Sequence, residues 1–138
     1  MSNFKFGRTS LKRLEGIDPD LLKVVKRALK ESKVDFSVIE GLRDTKTQQK
    51  YYKDGKSELD GIRKKSMHQC GYAVDLCPYK DGKLLWDLEE NALEWLELGR
   101  AMLRASRLLN IPIIWGISFN IGKGYDAPHF QLANKTCK

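Results

Sequence analysis

Ser66-Met67-His68-Gln69-Cys70-Gly71-Tyr72-Ala73-Val74-Asp75-Leu76-Cys77-Pro78 is the stretch on which the fold turns. Tyr72 to Cys77 reads as a strand, bounded by Gly71 before it and ended by Pro78 after it. Gly71 lets the chain turn, so His68 falls on the incoming loop and Asp75 within the strand. Upstream, Val34-Asp35-Phe36-Ser37-Val38 alternates apolar and polar; it predicts a strand with Phe36 and Val38 on one face, extended by Ile39-Glu40 and broken at Gly41. Downstream, Asp81-Gly82 is a turn from which Lys83 to Trp86 returns as a hairpin. Ile111 to Trp115 is a buried strand, with Pro112 at an edge or among its first residues. His129-Phe130-Gln131-Leu132 alternates as the last strand. Asp18-Pro19 opens a helix carried by Leu21, Leu22, Val25 and Leu29 and ended at Ser32-Lys33. Asp44 or Thr45 caps a shorter one through Gln48, Tyr51 and Tyr52, closed by Asp54-Gly55. Leu93, Leu96, Met102, Leu103, Leu108 and Leu109 mark the longest, with Arg100, Arg104 and Arg107 outside and Asn110 as its left-handed end. Residues 55–66 form a long polar loop, of a length often used as a functional lid, and Gly116 to Gly124 a second loop. The predicted class is α+β: one domain over residues 1–138, a small, mostly antiparallel sheet with packed helices.

The 138 residues suffice for a single core, and a 41% apolar fraction is that of a globular chain. No repeat, low-complexity segment or bilayer-length apolar run occurs. Met1-Ser2-Asn3-Phe4-Lys5 leads into no long apolar segment, so no secretory signal is expected and the protein stays in the cytoplasm where it is made unless released. The formal net charge of +7 favours an anionic partner: nucleic acid, anionic lipid or an acidic wall polymer. The clusters at Lys23, Lys26 and Arg27 and at Arg63, Lys64 and Lys65 read equally as solvated surface or as a functional patch. Nucleic acid is the weakest partner, because no helix-turn-helix or aromatic-basic platform is evident. Cys70, Cys77 and Cys137 are an odd set in a chain without a signal, so no disulfide framework is expected. Cys70 and Cys77 flank Asp75, yet their spacing matches no common zinc knuckle.

The chain has only two histidines. The second lies in Asp126-Ala127-Pro128-His129-Phe130. Two imidazoles and one carboxylate hold a zinc ion with one position open. His68 and Asp75 approach from different backbone segments, and His129 is the only histidine left to complete the set. Asp126, three residues before His129 across the stiffening Pro128, lies near the metal without ligating it. There it takes a proton from bound water and passes it to a leaving amine. Singly, each histidine reads as an ordinary surface or core residue and each aspartate as a hydrogen-bond anchor; together they make a ligand set. Composition and spacing reach a metal hydrolase and no further. The H-E-x-x-H motif is absent, so the site is not of zincin type.

Ser66-x-His68-x-x-Gly71-x-Ala73-x-Asp75-Leu76, followed by Asp126-x-Pro128-His129-Phe130-Gln131-Leu132, closely resembles the zinc D-Ala-D-Ala carboxypeptidase (VanY-like) and L-alanyl-D-glutamate endopeptidase group. The similarity is closest to the endolysin-type L-alanyl-D-glutamate peptidases of bacteriophages. Gly41-Leu42-Arg43-Asp44-x-x-x-Gln48-x-x-x-Tyr52-x-x-Gly55 resembles that family's arginine block, and the likeness runs from about Phe36 to Leu132. It implies that His68, Asp75 and His129 bind Zn2+, that Asp126 is the general base, and that Arg43 steadies the oxyanion or a substrate carboxylate. Gln48 and Ser66 are implied as supporting or substrate-contacting positions. One segment departs: Trp115-Gly116-Ile117-Ser118-Phe119-Asn120 stands where many relatives carry a Trp-Gly-Gly-Asp-Trp-like run.

The expected function is therefore a zinc peptidase that cuts the L-alanyl-D-glutamate bond of bacterial peptidoglycan stem peptides. The expected setting is a phage endolysin that collects in the host cytoplasm as a monomer, with no integral membrane segment, and reaches the wall through a holin-type lesion. The rivals are a D-Ala-D-Ala carboxypeptidase of the same fold and a non-catalytic, zinc-stabilised wall-binding domain.

Overall fold

In the computed structural model, residues 2–118 and 126–138 are described. Along them run α1 (Arg8–Arg13), α2 (Pro19–Glu31), β1 (Phe36–Glu40), α3 (Thr45–Lys53), β2 (Ala73–Lys80), β3 (Lys83–Leu84), α4 (Ala92–Leu109), β4 (Ile113–Trp115) and β5 (His129–Leu132). A 3-10 turn at Met67–Cys70 leads into β2, and another at Gly116–Ser118 follows β4. The α+β class is the expected one. The sheet has the order β1-β2-β5-β4 with β3 folded back on β2, and its pairs are antiparallel.

The helices begin and end where local chemistry directs. Asp18 caps α2 by accepting the Asp20 N–H at 2.8 Å, with Pro19 in the first turn. Asp44 caps α3 by accepting from the Thr47 N–H at 2.7 Å. Asn110, in the left-handed region at φ 57°, closes α4. Leu21, Val24, Val25 and Ala28 of α2 meet Leu98 and Met102 of α4 over the sheet face formed by Phe36, Val38, Val74, Leu76, Phe130 and Leu132, all buried. Each large side chain so buried contributes about 1.5–3 kcal/mol relative to exposure. Because strand side chains alternate, Asp75 and His129 lie on the face opposite Val74 and Phe130.

The structure differs from the sequence reading at several places. Helix α1 was not anticipated; it is short and lacks an apolar stripe. Its place is fixed by β1, an edge strand: Ser10 Oγ accepts from the Val38 N–H at 3.0 Å and Arg13 donates to the Val38 carbonyl at 3.0 Å. The helix thereby covers edge groups that would otherwise be open to pairing. Strand β2 passes through Pro78 instead of stopping there. The Leu76 N–H points to Pro128 O on the β5 side, and the Tyr79 N–H to Asp35 O on the β1 side. The Pro78 nitrogen therefore faces the side where pairing with β5 has already ended. On that side the Pro78 carbonyl accepts from the Leu85 N–H at 2.9 Å, and the Leu85 carbonyl, which proline cannot serve, accepts from Trp95 Nε1 at 2.8 Å. The hairpin return is shorter than expected, with only Lys83 and Leu84 paired. Strand β4 begins at Ile113, after Pro112, and is half-buried at the edge rather than buried. The buried face of α4 is Trp95, Leu98, Gly99, Met102, Ala105 and Ser106, whereas Leu93, Leu96, Leu103 and Leu108 are exposed beside Arg100, Arg104 and Arg107. The spacing of Leu93, Leu96, Leu103 and Leu108 placed that face out of phase, because Trp95, Leu98, Met102 and the small residues carry the packing.

Cysteine usage is also corrected. Cys70 and Cys137 form a disulfide across 67 residues, with their Cα atoms 5.7 Å apart. Cys77 is a free, buried thiol pushed up to about 12 by burial, and so stays neutral. No thiol joins the metal-donor cluster found among the described residues.

Candidate metal centre and its cleft

The turn at Met67–Cys70 ends in Gly71 at φ 73°, a left-handed position that suits glycine and that swings the chain from His68 into β2. The same turn is tied back where Gln69 Oε1 accepts from the Ser66 N–H at 2.9 Å. Asp75 and His129 are register partners across β2 and β5. His68 Nε2 lies 3.1 Å from Asp75 Oδ1, and His129 Nδ1 lies 3.3 Å from the same oxygen. One ligand atom from each of the three residues falls within 4.8 Å of the others.

The far nitrogen of each ring is already engaged. His68 Nδ1 donates to the Gly41 carbonyl at 2.8 Å, and His129 Nε2 donates to Gln131 Oε1 at 2.8 Å. Each neutral ring then presents a lone pair toward Asp75. Two imidazole lone pairs and a carboxylate oxygen at these distances repel unless a cation is shared among them. A metal ion fits that donor set, and protons are its substitute. The pKa directions agree. Burial would lower the His129 pKa, but the Asp75 hydrogen bond and charge, with Gln131 and Asp126, outweigh it and the value is raised. Burial would raise the Asp75 pKa, but hydrogen bonds and charge from His129 and His68 bring it well below the carboxylate range.

Asp126 reaches the same cleft from the loop before β5. Its N–H donates to Gly116 O at 2.8 Å, and its carbonyl accepts from the His129 N–H at 3.1 Å. A side chain at Gly116 would collide with the Asp126 carbonyl, so glycine permits this approach. Trp115 braces the segment by donating to Ala127 O at 2.6 Å and stacking on Phe130 with centroids 5.6 Å apart. Burial raises the Asp126 pKa, the Asp75 charge adds to it, and His129, His68 and Arg43 oppose it.

Across the cleft stands Arg43, its side chain only 9% exposed. Its Nε donates to Glu40 Oε1 at 3.1 Å, its Nη2 pairs with the same carboxylate, its Nη1 donates to Gln48 Oε1 at 2.7 Å, and its guanidinium lies 4.6 Å from the Tyr51 ring centroid. Glu40 and Tyr51 were not singled out in the sequence. The pairing of β1 with β2 shifts register between Val38 and Glu40, an irregularity that brings Glu40 opposite Asp75. A lone acidic residue at a strand end gives no sequence signal of that kind. Gln48 is fully buried and spans from Arg43 to the loop before His68. Ser66 Oγ is buried without a hydrogen-bond partner and lines the cleft. Arg43, Ser66, His68, Asp75, Asp126 and His129 thus border one cavity of about 830 Å³, with Gly55 to Leu59 as a further wall. In the departing segment, Trp115 to Ser118 are placed as described, and Phe119 and Asn120 lie outside the described residues.

Comparison with known proteins gives a concordant picture. The L-alanyl-D-glutamate peptidase of Escherichia phage T5 is 35% identical over 140 aligned residues, covering 94% of this chain and 98% of that protein. The crystal structure of the L-Ala D-Glu endopeptidase ChiX from Serratia marcescens matches with a TM-score of 0.79 at 33% identity, over 94% of this chain and 91% of that one. A vancomycin-resistance D,D-pentapeptidase VanY, solved in complex with Zn(II), shares the fold at a TM-score of 0.54 and 17% identity, over 84% of this chain and 72% of that one. The family model described as phage L-alanyl-D-glutamate peptidase spans residues 1–133, nearly the whole fold just described, and the chain belongs to that family.

Proposed function

We propose that this chain is a zinc-dependent peptidoglycan endopeptidase that hydrolyses the L-alanyl-D-glutamate bond of stem peptides. The observation that carries the reading is the convergence of His68, Asp75 and His129 on one point, with Asp126 and Arg43 facing the same cavity. Two imidazole nitrogens and one carboxylate oxygen are the donor set of a catalytic zinc site. The Zn(II) complex of the VanY neighbour, which shares this fold, supports that choice of metal. When bound, zinc polarises the scissile carbonyl and lowers the pKa of water toward about 7.

The remaining roles belong to the chain. Asp126 accepts the proton of the attacking water and delivers it to the leaving amine; its raised pKa brings the carboxyl nearer the working pH, where both transfers are efficient. Arg43 offers N–H donors to the charge that develops on the carbonyl oxygen. Ser66 lines the cavity and acts as a supporting position, its N–H tied to Gln69 Oε1 in the turn that carries His68. Gly41 O and the Gln131 amide hold the two imidazoles in the ligating tautomer. None of the described helices is long and apolar enough to cross a membrane. Within the proposal the protein reaches the wall as a phage endolysin after holin-type release, and its +7 charge favours the anionic wall.

The test is digestion of purified peptidoglycan with and without chelator, followed by mass analysis. Cleavage as proposed exposes a new amino terminus on D-glutamate and stops when the metal is withdrawn. Release of single D-alanine residues instead would show a carboxypeptidase. Unchanged hydrolysis by the Asp126→Ala variant with zinc bound would remove Asp126 from the mechanism, and wall binding by the parent with no released fragments would leave only a binding domain.

A further inference from the structure

Gln48 makes every hydrogen bond for which it is recruited within the protein and is fully buried, so it has no surface left to offer a substrate. Its amide oxygen accepts from Arg43 Nη1 at 2.7 Å. Its amide nitrogen donates to Ser57 Oγ at 2.9 Å and to Leu59 O at 2.7 Å. Ser57 Oγ in turn accepts from the Leu59 N–H at 3.2 Å, which closes the loop on the amide. The stem of the same side chain is covered by Gly61, at φ 84°: a Cβ there would stand 2.9 Å from Gln48 Cγ. The segment held in this way is the Gly55 to Leu59 wall of the cavity.

We propose that Gln48 is a positioning residue that couples this wall to the Arg43 guanidinium, so that the wall's position and the arginine's aim are set together. The proposal rests on the reading of Arg43 as the oxyanion donor. Only an amide suits position 48. The cationic fork requires an acceptor, while the Leu59 carbonyl requires a donor. Glutamate serves the arginine and abandons the loop; methionine serves neither. Glu40 holds the other edge of the guanidinium and Tyr51 its face, so removing Gln48 frees one edge without releasing the whole group. A displacement of that size in a positioned group costs about 100-fold in rate at most.

The experiment compares Arg43→Ala, Gln48→Met, Gln48→Glu, Ser57→Ala and the double variants Gln48→Met/Ser57→Ala and Gln48→Glu/Ser57→Ala, all zinc-loaded, on a soluble stem-peptide substrate. Zinc content and melting temperature are measured alongside kcat and KM. We expect Gln48→Met to lower kcat by about 10- to 100-fold with zinc content unchanged. Gln48→Glu should recover part of kcat, because its arginine contact survives, while KM stays raised because the wall is loose. Ser57→Ala should raise KM mildly in the native background and add nothing in the Gln48→Met background. If Arg43→Ala leaves kcat intact, the reading of Arg43 fails. If Arg43→Ala cripples kcat but Gln48→Met does not, or if the Ser57 and Gln48 effects simply multiply, the coupling fails and that reading stands. Should Gln48→Met not fold, the Gln48→Glu split between kcat and KM and the Ser57→Ala effect in that background decide the matter.

Discussion

His68, Asp75 and His129 on one side of the cleft are mounted almost directly on main chain. Asp75 faces His129 through the β2–β5 register, and His68 is oriented by the Gly41 carbonyl. Arg43, on the other side, is held by side chains: the Glu40 carboxylate, the Gln48 amide and the Tyr51 ring. The two walls are also joined through main chain, by the Arg43 N–H bond to His68 O at 3.0 Å and by the β1–β2 pairing that sets Glu40 opposite Asp75. The difference teaches how each wall responds to change. Strand register is a property of the whole sheet and yields little to a single substitution. A guanidinium aimed by three side chains can be re-aimed by changing any one of them.

The largest expected effect comes from removing a donor. His68→Ala should lose zinc binding and bring hydrolysis below detection, while far-UV circular dichroism shows the fold intact, because β2 and β5 pair without the imidazole. Metal analysis after dialysis checks the first part. A variant that retained stoichiometric zinc and activity would break the idea of a backbone-mounted donor wall. Asp126→Asn comes next: hydrolysis should fall by about 10²–10⁴ with zinc content unchanged. Equal loss of zinc would instead move Asp126 into the ligand set. Arg43→Lys should follow, at about 10²-fold in kcat, because a point charge replaces the planar fork that Glu40 and Gln48 grip. Full activity in Arg43→Lys would mean that only the charge matters, and the contrast between the two walls would lose its chemical content.

The two walls also differ in how far the sequence revealed them. The donor residues sit in short motifs, His68 seven residues from Asp75 and Asp126 three from His129, so scarcity of histidine and spacing were enough to group them. The strand carrying His129 alternates polar and apolar, the one carrying Asp75 is an apolar run between Gly71 and Pro78, and α2 and α3 announce their starts with Asp18 and Asp44. Glu40 and Tyr51 were not legible because their roles arise from the register irregularity after Val38 and from the packing of α3, neither of which leaves a pattern in a single chain. Gln48 was noticed through family likeness, but its bonds to Ser57 and Leu59 belong to the folded loop. Helix α1 was missed because its position is set by the β1 edge rather than by its own periodicity. The face of α4 was misread because Trp95, Leu98, Met102 and small residues meet the core, whereas Leu93, Leu96, Leu103 and Leu108 do not.

Acidity separates the walls more gently. In the metal-free chain the His129 pKa stands above its ordinary 6.5, chiefly because the hydrogen bond and charge of Asp75 outweigh burial. Its contribution to stability is therefore complete below 6.5 and is lost as pH rises through the raised value. The lowered Asp75 value acts in the other sense: its contribution is present above the ordinary 3.8 and is lost as pH falls through the lowered value. Zinc requires deprotonated His129, so its affinity should rise across the pH range in which the proton's contribution fades. Thermal melts with and without zinc from weakly acidic to alkaline pH should show the increment due to zinc widening with pH. An increment that shrank with rising pH would contradict the shared-cation account of the donor wall.

The smallest expected effect on catalysis comes from the disulfide, although its effect on stability is sizeable. Cys70 lies two residues after His68 and ties that turn to Cys137 in the C-terminal tail. Cross-links over long loops typically stabilise by about 2–4 kcal/mol, so Cys137→Ser should lower the melting temperature by roughly 5–15 °C. Zinc affinity and kcat should stay within about threefold of the parent value, because His68 is oriented by Gly41 O and its turn is closed by Gly71 and Gln69, none of which depends on the bridge. The measurement is a paired melt and zinc titration of the variant and of the parent under reducing conditions. A tenfold loss of zinc affinity in both would show that the donor wall needs a covalent brace beyond its strands, and the distinction between a main-chain wall and a side-chain wall would have to be redrawn around Cys70.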